Sequence, residues 1–163
     1  MTISCLQIYK NNRSFAQNPS QFIFMLYYLK TYPLTLTVVA AICYLSFFTP
    51  PETDGIEIPY MDKLVHLCMY GGLCLVIWCE YLRHHRNISF KRMLTGGIIA
   101  PVLMSGCIEL LQEYCTENRG GDWADLAANI TGVISAAIIG YYVLRPFFNK
   151  RRNAGYSHER PTQ

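Results

Sequence analysis

Four stretches of this sequence, 31–49, 64–82, 94–111 and 126–144, are each close to 20 residues long and nearly free of charge. An α-helix rises about 1.5 Å per residue, so each stretch can cross a hydrocarbon layer about 30 Å thick. The competing arrangement is a soluble four-helix bundle, in which every helix needs a polar stripe on its watered face. The centres of these stretches, TVVAAICYL, GGLCLVIWC, IIAPVLMSGC and TGVISAAIIG, carry none. The expected fold is therefore all-α: a polytopic membrane protein, a bundle of four transmembrane helices, with the lipid bilayer as its partner. Residues 1–21 read as a polar cytoplasmic segment, 22–148 as the membrane domain and 149–163 as a basic cytoplasmic tail. The apolar run 22–29 ends at Lys30 and reads as an interfacial lead-in to the first helix. No apolar core of a cleavable signal peptide occurs in 1–21.

Charge distribution orients the chain. Lys10, Arg13 and Lys30 precede the first stretch, Arg83, Arg86, Lys91 and Arg92 lie between the second and third, and Arg145, Lys150, Arg151, Arg152 and Arg160 follow the fourth. Only Lys63 and Arg119 fall on the opposite side, so the positive-inside rule places both termini in the cytoplasm. Most acids collect on the other side: Glu52, Asp54, Glu57, Asp62, Glu113, Glu117, Asp122 and Asp125, with Glu109 just below that surface. Charged residues make up 15% of the 163 and the net charge is +3, too little surplus for a nucleic-acid partner. The seven cysteines form no Cys-x-x-Cys pair, and Cys43, Cys68, Cys74, Cys79 and Cys107 sit in apolar runs. They read as soft packing residues rather than as a zinc cluster.

Polar residues within the apolar stretches gather at one depth. Asp62, His66 and Tyr70 recur at i, i+4 and i+8 and share one helix face. Ser105, Glu109, Gln112 and Glu113 do so on the third helix, and Asp122, Asp125, Asn129 and Gly132 on the fourth. Ionisable groups in a membrane are costly and face the bundle interior or a wet cavity. A polar pocket open to the outside follows. Each residue also has a structural role to set beside it. Asp62 and Asp122 suit helix N-caps, His66 a packing histidine, and Asn129 a helix-to-helix hydrogen bond. Lys63 and Arg119 suit salt bridges to Asp62 or Asp122, and Glu80 an ion pair with Arg83. Gly71, Gly72, Gly96, Gly97, Gly106, Gly132 and Gly140 suit close helix approach, and Pro101 predicts a kink.

Three blocks, Asp62-Lys63-x-x-His66-x-x-x-Tyr70, Glu109-x-x-Gln112 and Arg119-x-x-Asp122-x-x-Asp125-x-x-x-Asn129-x-x-Gly132, together resemble the signature of the VanZ-like membrane proteins. The resemblance spans about residues 31–145. It implies a small helical protein of the bacterial cytoplasmic membrane. The namesake of that family lowers sensitivity to the glycopeptide teicoplanin, so the resemblance implies a role at the cell envelope.

Three functional readings stay open at this point. In the first, the pocket binds an envelope lipid headgroup or a cell-wall precursor, with Lys63, Tyr70, Gln112, Arg119, Asp122 and Asn129 as ligand-binding residues. In the second, Asp62, His66, Glu109 and Asp125 are the acid/base set of a membrane-embedded hydrolase or transferase. Their oxygen and imidazole donors also suit a divalent metal, although no HExxH-type motif is present. In the third, the polar face only packs helices together.

Overall fold

The computed structural model describes residues 19–47, 60–115 and 122–158. Among these the chain is almost wholly helical, with no strand. The helices are α1 (Pro19–Thr31), α2 (Pro33–Phe47), α3 (Met61–His84), α4 (Phe90–Leu94), α5 (Ala100–Cys115), α6 (Trp123–Ile139) and α7 (Arg145–His158). Two π-helical turns, Thr95–Ile99 and Gly140–Leu144, carry α4 into α5 and α6 into α7. The chain forms two compact units that meet in sequence at Pro33 and Leu34.

The first unit is seen as α1. Its residues Ile23, Phe24, Met25, Tyr27 and Leu29 are exposed, Tyr28 stacks on Tyr32, and Phe24 meets Tyr28 at a tilt. The run expected as a lead-in is thus part of a helix of its own.

In the second unit, Met61–His84, Phe90–Tyr114 and Trp123–Ala154 are each long and apolar enough to cross a membrane. A fourth span is reached only if α1 and α2 are counted together. Alone, the 15 residues of α2 extend roughly 22 Å, short of a hydrocarbon core. Pro33 accounts for the start of α2: it lacks an N–H and its φ is preset for the first helical position. Leu103, Ile134, Ile138 and Val143 face away from the protein. Exposing such side chains to water costs about 25 cal/mol per Å², a cost that lipid removes. The second unit is the body of a membrane protein.

The α3–α6 crossing sets its geometry. A Cβ on Gly71 would lie 3.4 Å from the Gly132 carbonyl oxygen. One on Gly132 would collide with the Leu67 carbonyl oxygen and reach 3.0 Å from the Gly71 nitrogen. The two backbones therefore touch, and Leu73 on α3 and Val133 and Ala136 on α6 are buried. Further along, the buried Trp78 ring occupies the space that a Cβ on Gly140 would need. Gly72, Gly96 and Gly106 face open space, so the packing role expected of all seven glycines holds for Gly71, Gly97, Gly132 and Gly140.

Two buried polar contacts shape the opposite end. Pro101 has no N–H to give to the Gly97 carbonyl four residues earlier. The Cys74 thiol, fully buried on α3, donates to that oxygen at 3.0 Å, and the helix widens into a π-turn over Thr95–Ile99. Glu80 departs from expectation. Its carboxylate accepts from the Leu34 and Thr35 N–H groups, both at 2.9 Å, and from the Thr35 hydroxyl at 2.7 Å. It caps α2 from a different helix. The N-terminal N–H groups of α2 and its dipole compensate this buried charge, so the expected pairing with Arg83 gives way to a cap.

Candidate functional site

The α3–α6 contact at Gly71 and Gly132 fixes what lies one turn beyond it. His66 on α3 comes against Asn129 on α6, both buried. His66 Nδ1 and Asn129 Oδ1 are 3.2 Å apart, and Asn129 Nδ2 donates to Ser105 Oγ on α5 at 2.8 Å. An amide oxygen only accepts, so His66 donates through Nδ1. The relay locks three helices together and fixes the ring so that Nε2 points the other way. The helix-bonding role expected for Asn129 is present. His66 is a packing histidine on one edge and a chemical group on the other.

Four carboxylates surround this point. His66 Nε2 lies 3.7 Å from Asp62 Oδ1 and 3.6 Å from Asp125 Oδ2, and Nδ1 lies 3.9 Å from Glu109 Oε1. Lys63 reaches Asp122 Oδ2 and Asp125 Oδ1, each at 2.5 Å, and Asp62 Oδ2 at 3.6 Å. The salt-bridge role of Lys63 is therefore realised, with Asp125 as an added partner. Its charge is met by acids rather than left for an anionic ligand. Asp122 is the N-cap of α6, accepting from the Ala124 N–H at 2.8 Å. The Lys63 ammonium beside it, helped by that backbone N–H, holds the Asp122 carboxyl below its ordinary pKa. Asp62 is not a cap: it sits in the first turn of α3, after Tyr60 at a positive φ of 64°.

Glu109 is buried and accepts from the Asp122 backbone N–H at 3.3 Å, tying α5 to the start of α6. Tyr70 is buried one turn inside His66, beside Ser105. Gln112 reaches a different helix: its amide nitrogen donates to the Ser46 carbonyl at 2.7 Å, in the last turn of α2. Arg119 lies outside the described residues. Ser46 enters as a neighbour that spacing did not single out. Ser46 contributes only a backbone carbonyl, which no side-chain pattern marks.

Beside the cluster, between α5 and α6, opens a cavity of about 340 Å³. Glu109, Glu113 and Asp122 form its acidic wall, and Leu110, Tyr114, Trp123 and Leu126 its apolar and aromatic wall. One side accepts hydrogen bonds and the other accepts hydrocarbon. Chemically, the site can hold a donor-rich polar group next to an apolar chain, and it sets an imidazole among carboxylates. Comparison with protein families, curated proteins and solved structures found no match.

Proposed function

We propose that this chain is a VanZ-like, four-span protein of a bacterial cytoplasmic membrane, with both termini in the cytoplasm. In this reading the cavity at its outer face receives the headgroup of an envelope lipid or a lipid-linked cell-wall precursor. The observation that carries it is the two-sided cavity beside a charged cluster drawn from three helices. Amphiphiles bind where hydrocarbon and polar groups are met at once. Because Lys63 is already paired with Asp122 and Asp125, the wall favours headgroups rich in N–H or O–H donors, such as an ammonium or a sugar, over a bare phosphate. Holding such a molecule changes what the envelope displays, and through that the access of a glycopeptide.

Native mass spectrometry of the purified protein tests this. The wild type should retain a lipid-sized adduct. Leu126→Trp, which fills the cavity, should lose it while keeping its melting temperature. Equal retention by both, or no adduct on the wild type, contradicts the proposal.

One observation favours a second reading. His66 lies within 4.0 Å of carboxylate oxygens of Asp62, Asp125 and Glu109, the environment of a general acid/base imidazole. The same headgroup would then be a substrate for hydrolysis or transfer. Turnover of lipid-linked substrates that is lost in His66→Ala and Glu109→Gln would separate catalysis from retention.

A further inference from the structure

We infer that Asp62, His66 and Asp125 form a binding site for one divalent first-row metal ion. Donor atoms from these three side chains all lie within 4.8 Å of one another. Proximity alone is common among acidic residues. The orientation of His66 adds a separate constraint.

Asn129 is held by its donation to Ser105, so its oxygen faces His66 and the ring hydrogen resides on Nδ1. The ring then turns Nε2 toward Asp62 Oδ1 and Asp125 Oδ2, at 3.7 Å and 3.6 Å. Both oxygens stand beyond hydrogen-bond distance of Nε2, on a ring that is only 6% exposed, so three donors face one gap without bonding one another. Donors bonded to a metal at about 2.1 Å sit roughly 3.4 Å apart in a tetrahedron, close to the two spacings at His66 Nε2, within a set of three donors that spans no more than 4.8 Å.

The carboxylates are divided in the same way. Asp125 turns Oδ1 to Lys63 and Oδ2 to His66, while Asp62 turns Oδ2 to Lys63 and Oδ1 to His66. The ammonium therefore meets one edge of the pair, and the other edge faces the imidazole. An imidazole with two carboxylates suits manganese or zinc better than magnesium or calcium, which prefer all-oxygen ligands. Asn129 is the outer partner that fixes the ligating ring, as metal-bound histidines require. Three protein donors leave coordination positions for water or for an oxygen of a headgroup. The site stands whether or not the cavity holds a lipid, since its ligands do not depend on one.

Mn²⁺ is the probe, because it is paramagnetic and bonds thiols weakly. The detergent-purified full chain, stripped with chelator, is titrated with Mn²⁺ and followed by electron paramagnetic resonance. The wild type should bind about one ion per chain, with ¹⁴N modulation from an imidazole. His66→Ala should lose that modulation. Asn129→Ala should keep it with affinity weakened about 10–100-fold. Asp62→Asn changes a side chain that is 57% exposed, so it preserves folding and should still lose affinity. The inference is overturned if the wild type leaves Mn²⁺ free at millimolar concentration. It is equally overturned if ¹⁴N modulation persists in His66→Ala or Asp62→Asn binds like the wild type. Loss of Mn²⁺ binding with lipid retained contradicts this site alone, and loss of lipid with Mn²⁺ bound contradicts only the headgroup reading.

Discussion

Lys63 holds together acids that would otherwise repel. Asp122 and Asp125 contact its ammonium from the same short stretch of α6. The depressed pKa of Asp122 makes this pair a source of pH-dependent stability. The folded state binds that carboxyl's proton less readily than the unfolded chain does. Its contribution is therefore complete above the ordinary value of 3.8 and disappears as pH falls through the lower folded value. Denaturation measured against pH should show a stability gap between wild type and Asp122→Asn that is flat near neutrality and closes only below about pH 4. In a Lys63→Met background this acid dependence should shrink to the part that the Ala124 N–H cap alone supplies. The i, i+4 and i+8 spacing of Asp62, His66 and Tyr70 made their shared face readable from sequence. The partners of Lys63 were readable in part. Asp62 and Asp122 stood among the candidates, but Asp125 was not named, because which carboxylates surround a lysine depends on how α6 is rotated against α3.

Helix contacts turn on a few positions without side chains. Gly132→Ala should force α3 and α6 apart, because its Cβ collides with the Leu67 backbone. A loss of about 1–3 kcal/mol is expected for such overpacking, read by unfolding in mixed micelles. Gly72→Ala meets nothing within 4 Å and should be neutral or stabilising by up to about 1 kcal/mol. Seven glycines looked alike in the sequence, since composition marks small residues without giving the rotation that decides which ones touch. Glu80 shows a different limit. Arg83 is one turn away in sequence and suggested an ion pair, whereas the N–H groups that bind Glu80 belong to residues 34 and 35. No local pattern joins positions so far apart. Glu80→Ala should cost about 1–2 kcal/mol as a lost cap and remove hydrogen-exchange protection from the Leu34 and Thr35 amides. Glu80→Gln, which keeps one acceptor oxygen, should restore part of both.

At the scale of the molecule, the separation of charge seen in the sequence becomes a division of labour along the helices. One end carries Glu80 capping α2 and the Cys74–Gly97 contact beside Pro101, which serve the fold. The other carries the carboxylates, Lys63 and His66 beside a cavity with one acidic and one apolar wall. Between them the Gly71–Gly132 contact sets the rotation that brings His66 onto Asn129. The central claim is that the second end is a ligand site and not merely a packing device. The chain carries its own reporter: Trp123 lines the cavity and is 81% exposed, whereas Trp78 is buried. Trp123 emission can be followed while bacterial envelope lipids, fractionated by headgroup, are added to the detergent-purified protein. The account predicts a saturable emission shift with at least one fraction, weakened in Glu109→Gln and absent in Trp123→Phe; a change that grows linearly without saturating for every fraction would contradict it.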